Sequence, residues 1–237
     1  MKYTIIGSLH GSKLSALEDK LEDEPPDILI CLGDFVQTKT IREFMKLERL
    51  YKTITVPGDE DAALLVEKME INPATSRMVG RTNLQLHEEI KKDKVAKTYL
   101  ERLVKRHTSG TEIFLDEKKF GGKYKTKIVH GAYDGDSVDR NLPPALGTHL
   151  ETRTGYWKNF RQMEREEDRV MIRGHDPNPS YAYEDTKEGR VVIQGPGTYQ
   201  LFEHRRHVIN PGALASGMFA QIETQADVPV LSYHKIK

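Results

Sequence analysis

The sequence predicts an α/β fold. Short apolar strands alternate with amphipathic helices from Lys2 to Val56, and from Arg190 onward runs punctuated by Gly and Pro signal antiparallel strands. The 237 residues, 37% hydrophobic and 30% charged, are enough for a single domain over 1–237 that carries an insertion.

Lys2 to Ile6 reads as a buried strand, and Leu14, Leu17 and Leu21 then mark one face of a helix that Pro25 and Pro26 end. Asp27 to Leu32 is the second strand. Thr40 is the expected cap of a helix presenting Ile41, Phe44, Met45 and Tyr51, and Thr53 to Val56 is the third strand. Strands joined by helices of this length form parallel βαβ units, whose functional groups gather at the carboxyl ends of the strands. The charged, helix-patterned stretch at about 62–110 is expected to be an insertion ahead of a strand at Lys125 to Val129. A helix with Trp157 and Phe160 three apart precedes a strand at Arg169 to Ile172. The β-rich stretch at about 190–237, broken by Gly195, Gly197, Pro211, Gly212 and Gly217, is expected to form a second sheet.

Lys plus Arg and Asp plus Glu number 36 each, so the balanced charge exerts no global pull on nucleic acid or an anionic membrane. An anionic substrate would need a local site. One thiol, Cys31, excludes an intrachain disulfide, and no apolar run approaches the roughly 20 residues of a membrane span. The chain opens directly into a strand rather than a signal peptide, so a cytoplasmic location is expected. Oligomeric state is left open.

Five strand ends each place a carboxylate or imidazole beside a glycine: Gly7-Ser8-Leu9-His10-Gly11, Gly33-Asp34, Gly58-Asp59-Glu60-Asp61, His130-Gly131 and Gly174-His175-Asp176-Pro177. Glycine lets the backbone turn sharply while its neighbour faces a shared cavity. Mixed oxygen and imidazole ligands suit borderline divalent ions such as Mn, Fe, Zn, Ni or Co.

In order and spacing these motifs resemble the calcineurin-like metallophosphoesterases, especially the small prokaryotic branch of predicted phosphodiesterases. That branch shows Asp-x-His-Gly, Gly-Asp, Gly-Asn-His-Asp or Gly-Asn-His-Glu, His-Gly and Gly-His-x-His in turn. Asn210-Pro211-Gly212-Ala213 is similar to its Asn-Pro-Gly-Ser, and Thr75 to Leu103 resembles its helical insertion. The resemblance implies a four-layer α/β/β/α sandwich and two metals bridged by one Asp, with metal-activated water attacking phosphorus. It puts Asp34 on the bridging carboxylate, His10 on the His of the first motif, and His130 and His175 on ligands of the second metal.

Three positions depart from that pattern: Ser8 stands for the first Asp, Asp59 and Glu60 for Asn-His, and Pro177 for the last His. The first site is thereby reduced to His10 and a share of Asp34. The second keeps Asp34, His130 and His175, with Asp59 as a replacement oxygen ligand. One tightly bound ion is therefore expected rather than two. Glu60 is a poor general acid beside a dication, which lowers a carboxyl pKa, and it suits a ligand or a water-orienting base better.

The expected activity is hydrolysis of a phosphate-ester small molecule, monoester or diester, with Asp34, Glu60 and His10 as catalytic residues. The alternative is a binding scaffold that kept the fold and lost catalysis; a nuclease is a third, less favoured reading. Each residue also has a plainer role: Asp34 suits a helix N-cap or turn, His130 and His175 suit packed loops, and Asp176, which could supply a replacement ligand, suits a solvated turn before Pro177 better. Lys118, Lys119, Lys123, Lys125 and Lys127 read as a solvated hairpin edge, and His204 to His207 as a turn or exposed edge. His87, His107, His149 and His234 match no motif.

Overall fold

In the computed structural model, which describes residues 1–12, 14–65, 81–108, 113–115, 124–133, 137–138, 148–224 and 228–236, alternate residues of the central strands serve two different cores. Along the chain run β1 (Lys2–Ile6), α1 (Ser15–Asp23), β2 (Ile28–Cys31), α2 (Thr38–Leu50), β3 (Thr53–Thr55), α3 (Asp59–Ala63), α4 (Arg81–Lys92) and α5 (Lys94–Thr108). There follow β4 (Ile113–Leu115), β5 (Thr126–Ile128), a short β6 (Ser137–Val138) and β7 (Thr148–His149) ribbon, α6 (Arg153–Arg165), β8 (Val170–Ile172) and β9 (Ser180–Asp185). The chain closes with β10 (Arg190–Gln194), β11 (Thr198–Gln200), β12 (Arg205–Asn210), β13 (Met218–Glu223) and β14 (Val230–Lys235).

One six-stranded sheet has the order β11-β14-β13-β1-β2-β3 and the other β10-β9-β12-β8-β5-β4. In the first, β1, β2 and β3 are parallel; in the second, β5, β8 and β12 are parallel. Tyr3, Ile5, Ile28 and Ile30 of one sheet pack on Ile128, Val170, Ile172 and Ile209 of the other, which makes the inner core. The intervening Ile6, Leu29 and Cys31 face outward to Leu17 and Leu21 of α1, Ile41, Phe44 and Leu47 of α2, and Leu100 of α5. On the far side Met171, Ala182 and Val208 meet Tyr156, Phe160 and Met163 of α6. The result is the α/β/β/α layering that the motif resemblance implied.

Several expectations need correction. The 190–237 stretch forms no sheet of its own: β10 and β12 join the second sheet, while β11, β13 and β14 extend the first. Local pattern identifies strands but not their partners, and pairing is decided by which face each strand can bury. Thr40 lies inside α2, with Gln37 at the cap position. Phe160 is buried, whereas Trp157 is 45% exposed under the Arg161 guanidinium. Lys127 is buried with its Nζ 3.9 Å from the Tyr133 ring centroid and so is no solvated edge charge, while the partly exposed Lys125 pairs with Asp168 at 3.3 Å. His207 is fully buried in β12, held by Tyr181 Oη at 2.8 Å. Thr75, Lys118, Lys119 and Lys123 lie outside the described residues. Among the described residues, no helix is long and apolar enough to cross a membrane.

The end of β1 is pressed against the turn after β12: a Cβ on Gly7 would lie 1.9 Å from the Gly212 carbonyl oxygen. Gly7→Ala is therefore expected to force backbone apart at the cleft and lower stability by about 1–3 kcal/mol, the usual cost of overpacking. A urea-unfolding midpoint equal to that of the parent would contradict this packing.

Candidate functional site

The carboxyl ends of β1, β2 and β3 in one sheet and of β5 and β8 in the other open onto the same cleft. The expected single sheet edge is thus the meeting of two. The loops after β1 and β2 are joined by Leu9 N–H donating to Gly33 O at 3.1 Å and His10 N–H donating to Asp34 O at 2.7 Å. His10, Asp34 and His175 all have left-handed backbone, with φ of 41°, 58° and 69°. Such conformations cost about 1–3 kcal/mol each, and they persist where the surroundings overdetermine them.

Here the surroundings are identifiable. Asp61, fully buried in α3, accepts backbone N–H bonds from Asp34 (2.8 Å), Phe35 (2.9 Å) and Gly58 (2.8 Å), locking the loops after β2 and β3 together. Gly58 is required there because a Cβ would sit 1.8 Å from Asp34 Oδ1. Burial, and after it the charge of Asp34, pushes the Asp61 carboxyl up to about 7.

On the other sheet, fully buried Arg173 does the corresponding work. Its guanidinium donates to Gly131 O at 3.0 Å, to Thr148 O at 3.0 Å and to Asp176 Oδ2, tying together the segments that carry His130, His149 and His175. Asp176 is therefore no solvated turn residue. It also accepts from Leu150 N–H at 3.1 Å and from His149 Nδ1 at 2.9 Å. Asn210 braces the same loop by donating to Asp176 O and Asn178 O, both at 2.9 Å, and its Oδ1 accepts from Gly212 N–H. The Asn-Pro-Gly motif is thus a strut.

All six candidate residues converge. His130 Nε2 lies 3.2 Å from Asp34 Oδ2 and 3.0 Å from Asp59 Oδ1, and His175 Nδ1 lies 3.1 Å from Asp59 Oδ1 and 3.3 Å from His130 Nε2. Beside them His10 Nδ1 bonds Glu60 Oε2 at 3.1 Å while its Nε2 stands 3.9 Å from Asp34 Oδ2. The ligand atoms of Asp59, His130 and His175 lie within 4.8 Å of one another, as do those of His10, Asp34 and Glu60. Ser8 and Pro177 belong to neither group.

The hydrogen bonds specify what this cluster lacks. His130 Nδ1 donates to Leu32 O, so in the neutral ring Nε2 turns a lone pair toward two carboxylates. A site of converging acceptors needs a cation or a proton. Burial opposes protonation of His130, but Asp34 and Asp59 outweigh it and hold its pKa well above the ordinary value. Asp59 is likewise pulled below the carboxylate range by His130 and His175 despite its own burial. The bond to Glu60 raises His10 against a smaller opposing effect of burial. Oxygen and imidazole donors of this kind fit a borderline divalent ion.

Sequence reasoning missed Asp61, Arg173, Asp176 and His149 as parts of this arrangement. One signal for Arg173 was present: a full charge directly after the apolar Val170–Ile172 strand, where burial demands a partner. Nothing local marks His149.

The sequence profile described as "Calcineurin-like phosphoesterase superfamily domain" matches residues 1–228. Among solved structures, a metallophosphoesterase from Sphaerobacter thermophilus superposes with a TM-score of 0.68 at 21% identity, covering 100% of this chain and 90% of that one. A hypothetical protein from Pyrococcus horikoshii OT3 superposes with a TM-score of 0.62 at 13% identity, covering 100% and 88%. At these identities the superpositions establish the shared fold. No curated protein matches the sequence.

Asp61→Ala leaves three buried N–H groups without an acceptor. At about 1–3 kcal/mol for each unsatisfied group, a loss of about 3 kcal/mol or more is expected in chemical denaturation. A loss below 1 kcal/mol, taken as roughly the worth of a single hydrogen bond, would show that Asp61 does not organise the cleft.

Proposed function

The chain belongs to the calcineurin-like phosphoesterase superfamily, and from that premise we propose that it is a metal-dependent phosphoesterase acting on a small phosphate ester, with a preference for diesters. The observation that carries this reading is the knot of acceptors around His130 Nε2, which calls for a cation. Asp34, Asp59, His130 and His175 would hold the tighter ion, and His10, Asp34 and Glu60 would hold a second one more weakly. When bound, the divalent ion supplies Lewis acidity to the phosphoryl oxygens and brings the pKa of water toward neutrality.

The chain's own residues supply orientation and access. Asp34 Oδ2 faces both His130 and His10, which suits it to bridge the two groups. The His10 and Glu60 side chains are 36% and 41% exposed, against 0% and 2% for His130 and Asp34, so a substrate approaches from the His10–Glu60 side. Glu60 accepts from His10 Nδ1–H and thereby directs His10 Nε2 toward Asp34. This makes Glu60 an orienting group rather than a general acid. Its negative charge at the entrance repels a dianionic monoester more than a monoanionic diester.

Three measurements test the reading. Metal analysis and hydrolysis of bis(p-nitrophenyl) phosphate and p-nitrophenyl phosphate with added Mn(II) should show one ion tighter than any other and faster turnover of the diester. Metal uptake without turnover of either ester would favour the scaffold. Asp34→Ala is expected to lose the tight ion and the activity while remaining folded by circular dichroism; full metal occupancy would defeat the assignment. Asp34 and Asp59 raise the pKa of His130 in the metal-free protein, so uptake of an ion should release protons. Calorimetry in buffers of different ionisation enthalpy reads their number, and zero release would place the ion away from His130.

A further inference from the structure

We propose that His149 is a positioning residue for the metal-facing side of His175, and that an imidazole here takes the role usually given to a carboxylate or carbonyl behind a ligating histidine. The inference rests on the proposed ion site. It follows from donor and acceptor counting along one line of contacts: His175 Nε2 stands 2.9 Å from His149 Nε2, and His149 Nδ1 stands 2.9 Å from Asp176 Oδ1.

An ionised carboxylate only accepts, so the proton between Asp176 and His149 sits on His149 Nδ1. In the neutral ring His149 Nε2 then carries a lone pair. In the metal-free chain His175 Nδ1 can donate to Asp59 Oδ1, but with an ion held by Asp59 and His175 Nδ1 neither atom carries a proton, so the one proton that the short contact between the two Nε2 atoms needs comes from His175. With Nε2 protonated, neutral His175 has its lone pair on Nδ1, the atom 3.1 Å from Asp59 Oδ1 and 3.3 Å from His130 Nε2. Asp176 thus selects the tautomer of His149, and His149 selects that of His175.

The line is anchored at its far end. Asp176 Oδ2 is held by the buried Arg173 guanidinium and by Leu150 N–H, which fixes the carboxylate and leaves Oδ1 to His149. Those engagements also argue against reading His149, Glu151 and Asp176 as a further ion site, although their ligand atoms lie within 4.8 Å of one another. The His149 and His175 ring centroids are 4.0 Å apart with the rings tilted by 46°, so ring packing accompanies the hydrogen bond and has to be separated from it.

Two variants make the separation. His149→Phe keeps an aromatic ring against His175 but cannot accept a proton, whereas His149→Gln loses the ring and keeps an acceptor oxygen. Zn(II) affinity is measured by calorimetry on the full chain. A loss of about 10- to 100-fold is expected for the Phe variant, the usual effect of removing a group behind a metal ligand, with most of the affinity recovered by Gln. In the zinc-loaded parent, two-bond proton–nitrogen NMR should find the His175 proton on Nε2. The Phe variant binding zinc as tightly as the parent would overturn the inference while leaving the proposed ion site standing, whereas a His175 proton on Nδ1 would remove His175 from that site and overturn both. A parent protein that takes up no zinc would overturn both.

Discussion

The buried Arg173 guanidinium and its pairing with Asp176 hold one half of the cleft in place. A charge at this depth is tolerated only when its donors are met, and losing one partner of such a pair typically costs about 3–5 kcal/mol. Arg173 meets that demand by reaching into the segments that follow β5, contain β7 and follow β8. These segments are far apart in sequence. Arg173 joins them through one planar group with several diverging N–H donors, which is why lysine, a compact point charge, is a poor substitute there.

The other half is organised by a buried carboxyl group. Asp61 gathers three backbone N–H groups from the loops after β2 and β3, so Asp34 is presented by a backbone that this carboxyl holds from beneath. The left-handed residues among the candidate ligands are shared between the halves: His10 and Asp34 on one side, His175 on the other. Strain of that kind persists only on a rigid support. The two inner-core faces provide it, since both sheets bring their parallel strand ends to the cleft while burying Ile, Val and Tyr side chains between them.

Pro177 illustrates how the departures from the family pattern fit together. The motif resemblance would put a histidine at this position; here the Pro177 carbonyl oxygen accepts from Ala213 N–H, while Asp176 beside it is committed to Arg173 and His149. The loop after β8 is therefore built to support His175 from behind. Ser8 is similarly absorbed into structure, its side chain buried and its carbonyl oxygen accepting from Leu214 N–H.

Much of this was legible locally. The parallel βαβ opening followed from apolar periodicity, and each of the glycine-flanked motifs sits at a strand end, because tight turns and polar end residues are dictated within a few positions of chain. The six candidate residues could be named for the same reason. Sheet membership was not legible: β13 pairs with β1 across more than 200 residues, and β12 lies in the middle of a sheet although Arg205, Arg206 and His207 look like an edge. His149 matches no motif, and Asp176, though inside one, resembles an ordinary turn residue. Their meaning comes from Arg173 and His175 beside them in space. Local sequence determines backbone preference and which residue types stand at strand ends, but the partners of a buried charge and the tautomer of a histidine are properties of neighbours that only the packed sheets bring together.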